Sequence, residues 1–189
     1  AHTPGLKMVI PSTPRNARSL LVAAMRDPDP VVYFEPKVLY RAFREEVPEE
    51  EETLPIGKAE ILREGSDLTM ISYGSMMRPT LKAADQLQEE DGVEAEVIDL
   101  LTISPLDHET FAESVEKTGR VIIVHEAPRS FGPGAEIVSR LVEKSFWYLE
   151  APIKRVTGYD VIMPLFAYEH EYIPGVERVL NGAREVLSV

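Results

Sequence analysis

The spacing of apolar positions changes several times along the chain, and each change marks an element. Lys7-Met8-Val9-Ile10 is a brief apolar run and predicts a strand. Pro11-Ser12-Thr13-Pro14 then opens a helix, with Thr13 as N-cap and Pro14 at the first helical position, where its missing N–H matters least. Ala17, Leu20, Leu21 and Ala24 recur at helical spacing until Asp27-Pro28-Asp29-Pro30 stops the helix. Val31-Val32-Tyr33-Phe34 is continuously apolar and predicts a buried strand parallel to the first, which completes a βαβ unit too small to fold alone. "REEVPEEEETLP", residues 44–55, has no periodicity and reads as a solvated acidic linker.

A second set of elements begins near Gly57. "GKAEILREGSDLTMISYG" holds two strand-like runs separated by Glu64-Gly65-Ser66-Asp67, a link short enough to predict an antiparallel pair. Met77, Leu81, Ala84 and Leu87 mark an amphipathic helix. "VEAEVIDL" alternates as a strand, and "DHETFAESVEKTG" reads as a capped helix ending at Gly119. "RVIIV" is a buried strand, residues 133–148 a helix and "IKRVTG" a strand. Val176, Val179, Leu180, Ala183 and Leu187 mark a closing helix. Strands alternating with helices define an α/β layer fold with a mixed, mostly parallel sheet.

Composition narrows the picture. The 189 residues are 44% hydrophobic, enough for a core of one good-sized domain or one domain and part of another. A net charge of −12 disfavours binding to nucleic acid or anionic lipid, which would need a basic face. With no cysteine, disulfides, thiolate chemistry and zinc–sulfur sites are excluded. No apolar run reaches membrane-spanning length, and the start lacks the pattern of a signal peptide, so a cytoplasmic location is expected. Ala1-His2-Thr3-Pro4-Gly5 reads like a loop inside a longer chain.

Candidate chemistry gathers at three places. In "VHEAPRSFGPGAEI" a His and a Glu stand at the carboxyl end of a strand, where ligands bind in open α/β sheets. Strand neighbours point to opposite faces, so Glu126 is badly placed to orient His125, and no Ser or Cys nucleophile is near. The bland reading, a polar strand-to-helix turn, is preferred. "GPGAE" could cradle an anion at a helix N-terminus, but it lacks a dinucleotide fingerprint or Gly-Lys-Ser/Thr, and a sharp turn is the simpler use of its glycines. "AAMRDPDP" ends a helix beside two aspartates, leaving carbonyl and carboxylate oxygens of the kind a hard cation needs. Spacing alone favours an ordinary helix stop there. His2, His108 and His170 have no metal-ligand spacing. "EHEY" reads as a surface loop, and Phe146, Trp147 and Tyr148 suit either core or interface.

Several stretches in order, "HTPGLKMVIPSTPRNARSLLVAAMRDPDPVVYFEPKVLYR", "PIGKAEILREGSDLTMISYG", "AEVIDLLTISPLD", "KTGRVIIVHEAPRSFGPGAEI" and "LEAPIKRVTGYDVIMP", resemble the β chain of the E1 component of 2-oxo acid dehydrogenase complexes. Transketolases and deoxyxylulose phosphate synthases share the architecture but resemble "RDPDPVVYFEPK" and "HEAP" less. The resemblance implies an α2β2 thiamine diphosphate enzyme that decarboxylates a 2-oxo acid, such as pyruvate or a branched-chain acid, and reductively acylates the lipoyl group of E2. It implies that residues 1–42 are the tail of a pyrimidine-binding domain, 43–56 a linker and 57–189 a transketolase C-terminal-like domain.

The family's cofactor-activating Glu and active-site His would lie upstream of Ala1. The Gly-Asp-Gly and Asn motif for diphosphate and magnesium belongs to the α chain. The resemblance therefore assigns no catalytic or cofactor-binding residue here and implies a chain inactive alone. It matches a structural potassium site to the carbonyls of Ala24, Met25 and Asp27 and the side chain of Asp29, where Asn is common in the family. The implied partners are the E1 α chain, a second β chain and the small basic subunit-binding domain of E2, which suits an acidic surface. Glu150 and the C-terminal Val189 are the positions matched to that contact. Mutation of His125 to Ala is then expected to disturb assembly or stability more than the chemical step. The competing readings are a non-catalytic assembly module and a sugar-phosphate-using relative.

Overall fold

The structure is a computed structural model that describes residues 1–50 and 52–189; Glu51, inside the acidic segment, lies outside the described residues. The chain divides into two compact units, and the division is not a single cut. The first unit takes residues 1–60 together with 73–75 and 99–107; the second takes 61–72, 76–98 and 108–189.

In the first unit, β1 (Lys7–Val9), α1 (Pro14–Arg26) and β2 (Val31–Tyr33) form the expected parallel βαβ. Thr13 caps α1 in the expected way, its side chain accepting from the Asn16 N–H at 3.2 Å. β6 (Thr102–Ser104), too short to show in the sequence, pairs antiparallel with β1 and covers the edge that a bare βαβ would expose. The order is β2-β1-β6. β2 is only half-buried rather than a buried strand. Val9, Leu20 and Leu101 form the buried cluster, with Val31, Tyr33, Leu54 and Ile56 packed against it.

The acidic segment is not simply solvated. Arg15 on α1 reaches Glu52 at 2.5 Å and Glu60 at 3.4 Å, and the Arg18 guanidinium donates to the carbonyls of Pro48 and Glu49.

The second unit holds a five-stranded sheet in the order β3 (Glu60–Arg63), β5 (Ala95–Asp99), β4 (Leu68–Ser72), β7 (Val121–Pro128), β8 (Lys154–Gly158). β4, β7 and β8 are parallel neighbours. β3 and β4 do not form the expected hairpin, because β5 lies between them. The four-residue link steps over the start of β5: the N–H groups of Ser66 and Asp67 donate to Glu94 O at 2.9 and 3.0 Å, and the Glu94 N–H donates to the Asp67 carboxylate at 2.8 Å. Gly65 is required there, since a Cβ would stand 2.3 Å from the backbone of Ala95 and Glu96.

Alternate strand residues serve two helical layers. Leu68, Met70, Ile122 and Val124 pack in one core with Ala83, Ala84 and Leu87 of α2 (Met77–Asp91) and Val179, Ala183 and Val186 of α6 (Val176–Leu187). Thr69 turns the other way, onto α3 (His108–Thr118), where its hydroxyl bonds Ser114 and Thr118 at 2.6 and 2.7 Å. Ile123 meets α4 (Pro133–Ser145) at Gly134. β5 alternates in sequence but is buried along its whole length. Its Glu96 is answered by the Lys117 ammonium: burial pushes the carboxyl up, and hydrogen bonds with Lys117, Ser114 and Glu64, together with the Lys117 charge, more than reverse that. "EHEY" is not a loop but a one-turn helix, α5 (Glu169–Tyr172), with Tyr172 buried.

Candidate functional site

The helix stop at the end of α1 is built as its sequence demands. Asp27 leaves the helix with φ −69° and ψ 133°, so the last carbonyls, those of Ala24 and Met25 among them, have no intrahelical partner. The two carboxylates beside them already hold a cation, the Lys7 ammonium, at 2.7 and 2.8 Å from the Asp27 oxygens and 3.0 Å from Asp29. Its hydrogen bond holds the Asp27 carboxyl below the ordinary carboxylate range. Asp27 also accepts from the Asp29 N–H at 2.9 Å. The four positions thus come together at one turn, with Asp29 shared by Lys7. Among the described residues, no group of three or more His, Asp or Glu side chains is placed to hold a metal. The described residues thus offer no carboxylate cluster for a magnesium–diphosphate group.

His125 is fully buried where β7 loses its register against β8. Val124 pairs with Val156 and Pro128 with Gly158, so four steps on one strand span two on the other. The ring turns toward α4, on the same face as Ile123. Its Nδ1 is 3.1 Å from Ala127 O, and its Nε2 accepts from the Gly134 N–H at 3.3 Å. Burial, with Arg155 adding to it, lowers the imidazole to about 4 against the weaker pull of Ala127 O, so at neutral pH the ring carries no charge. Gly132, the N-cap of α4, has no side chain to satisfy that helix. The imidazole does this from the neighbouring strand. Both glycines of "GPG" lie against the ring: a Cβ at Gly132 would meet Pro128 O at 2.5 Å and the ring Cε1 at 2.9 Å, and one at Gly134 would meet Nε2 at 2.6 Å.

Glu150 lies beside Arg120, whose guanidinium it pairs with, and its N–H donates to Gly119 O at 2.8 Å. Val189 is exposed at the end of the chain. His2, His108 and His170 are exposed. Phe146, Trp147 and Tyr148 form an exposed turn after α4, with Trp147 91% exposed, so they are not core of this unit.

Two grooves among the described residues bear on the question. One, of about 240 Å³ in the first unit, is lined by Pro11, Pro14, Tyr33, Pro36, Leu39 and Phe43 among others. Its Tyr33 hydroxyl is spent on Ala17 O at 2.7 Å, and burial raises it to about 12. The other, of about 410 Å³ in the second unit, is lined by Lys154, Arg155 and Arg178 among others, and each of these three has a partner. Lys154 pairs with Glu185, and Arg155 donates to Arg129 O. Arg178 donates to the carbonyls of Tyr172 and Thr157 while lying 4.5 Å over the Tyr159 ring.

Sequence reasoning missed the buried Asp99. Its carboxylate accepts from the Ser12 hydroxyl and from the Leu101 N–H at 3.3 Å. Burial nevertheless pushes it up to about 7. "VIDLL" shows an acid among apolar residues, and that was the only signal.

Residues 57–179 match the family described as "Transketolase, C-terminal domain". The chain belongs to that family. Over its full length it is 51% identical to the pyruvate dehydrogenase E1 component subunit beta of Bacillus subtilis (strain 168) and 49% identical to that of Staphylococcus aureus (strain Mu50 / ATCC 700699), covering 58% of each. It is 53% identical over 173 residues to the mitochondrial 2-oxoisovalerate dehydrogenase subunit beta of Dictyostelium discoideum, covering 92% of this chain and 46% of that protein. A split-gene transketolase, solved as an inactive beta4 tetramer, superposes with a TM-score of 0.79 over 99% of this chain and 59% of its own, at 24% identity. The chain thus spans under three-fifths of the length of these bacterial relatives.

Proposed function

We propose that the chain is the C-terminal part of the β subunit of a thiamine diphosphate-dependent 2-oxo acid dehydrogenase E1. The observation that carries this reading is identity near one half, along the whole chain, to β subunits of both pyruvate and branched-chain enzymes. In the assembled enzyme the cofactor supplies the carbanion chemistry of decarboxylation. The residues of this chain hold surfaces in place, and residues 1–42 continue a pyrimidine-binding domain. The exposed apolar run Val161, Ile162, Met163, Leu165 and Phe166, together with Trp147, supports burial against other subunits, the α chain and a second β chain. The net charge of −12, with Glu150 and Val189 exposed, supports docking of a basic E2 domain.

Incubated with thiamine diphosphate, magnesium and pyruvate or 2-oxoisovalerate, the chain alone is expected to release no carbon dioxide. The full β subunit with its α chain is expected to do so. Turnover by the chain alone would overturn the reading. The carbonyls of Ala24, Met25 and Asp27 with the Asp29 carboxylate would hold potassium only by sharing Asp29 with Lys7. Thermal unfolding at fixed ionic strength should then rise in potassium over sodium, and identical curves would remove the site.

A further inference from the structure

The buried imidazole of His125 has a use that the subunit role does not require. We propose that His125 is a proton-operated latch: the neutral ring holds the first turn of α4 and the 129–132 loop in place, and protonation releases them. The geometry is specific about the proton. Nδ1 carries the hydrogen donated to Ala127 O, which leaves Nε2 as the acceptor for the Gly134 N–H. The N-cap Gly132 offers no substitute acceptor. A proton on Nε2 would set two N–H groups against each other and place a full positive charge at the positive end of the helix. The ring is wedged against Gly132 and Gly134, close enough that no Cβ fits at either, so it has little room to turn away.

The loop it secures is under conformational load. Phe131 sits at φ +58° with its ring wholly in solvent, and a phenylalanine has no intrinsic preference for that region. Further ties on the loop include Arg155 to Arg129 O at 2.9 Å, the Arg129 N–H to Asp160, and the Ser130 N–H and hydroxyl to Asp160 at 2.8 Å each. The charged groups around this end of the strand are Arg155 on β8, Arg129 and Asp160 in the adjoining loops, Glu126 next in the strand, and Glu136 in the first turn of α4. Asp160 is engaged by Ser130 and Glu136 by Arg140 at 2.8 Å. Opening the latch therefore loosens the loop that carries Arg129 and Phe131, leaving it on its ties to Arg155 and Asp160, and makes the order of that loop depend on acidification.

Amide hydrogen exchange on the chain from pH 7 to pH 4.5, corrected for intrinsic rates, tests this. Opening of residues 129–137 should increase by up to about tenfold per pH unit below about pH 6.5, the slope of one proton. Ile122, Ile123 and Val124 should stay protected. His125→Gln can both accept and donate but does not titrate, so its profile should be flat. A flat wild-type profile, or the same slope in H125Q, overturns the latch. If H125Q fails to fold, nitrogen NMR of the wild-type ring decides: a neutral Nδ1–H tautomer at pH 6 supports the latch, and a ring titrating like a free histidine overturns it.

Discussion

The second unit buries a five-stranded sheet between two helical layers, whereas the first sets three short strands against a single helix. In the second, alternate residues of β4 and β7 feed separate cores, and even Glu96 and Thr69 find partners inside. In the first, three side chains form the buried cluster, and polar ties do much of the holding: Lys7 to Asp27 and Asp29, Arg15 to Glu52, Ser12 to Asp99. Exposed ion pairs contribute from nothing to about 1 kcal/mol each, so such ties cannot replace a core. The difference locates the weaker unit before any measurement is made.

The widest gap should come from matched core truncations. Phe111→Ala, fully buried on α3, should cost about 3–5 kcal/mol, while Leu20→Ala, equally buried on α1, should cost nearer 2 kcal/mol because its thin surroundings collapse more easily. Denaturant unfolding with segment-resolved exchange would compare them, and equal losses would break the contrast.

Acid should move the units in opposite directions. The folded state raises Asp99 from about 3.9 to about 7. Its stabilising share is thus complete below the unfolded value and lost as pH rises toward 7. The folded state lowers His125 to about 4, so its share is complete above about 6.5 and lost as pH falls toward 4. Each effect reaches up to roughly 3–4 kcal/mol. Between these limits acidification should firm the first unit and loosen the second. Exchange protection at pH 4.5 and 7 reads this directly, and Asp99→Asn should flatten only the first unit's response.

A smaller loss, about 2–3 kcal/mol, is expected for Gly65→Ala, because the obstructing atoms are backbone and cannot rotate away. The melting temperature gives it, and a neutral result would contradict the crossing over β5. Smallest is Arg15→Ala, at most about 1 kcal/mol and fading with added salt. A larger loss would mean that the acidic segment is part of the first unit's core.

Much of this was legible beforehand. Thr13-Pro14 named the start of α1, Gly119 closed α3 at φ +68°, and the apolar spacing marked α2 and α6. One misreading has a plain cause. A short link between strands was taken to join neighbours, an inference that uses nearest-neighbour information, and β5 arrives from farther along the chain. The candidate cation turn was legible as a cluster, but the distant Lys7 that fills its carboxylates was not.

What the sequence determined by itself was the run of elements, the α/β class and the family likeness, because period, caps and turn residues act within a few positions. What only the tertiary structure decided was the order of strands, the three-residue β6 that completes the first sheet, and the roles of His125 and Asp99. A buried imidazole or carboxyl takes its protonation state from groups packed around it, and Gly134 and Ser12 reach these two only when the chain has folded.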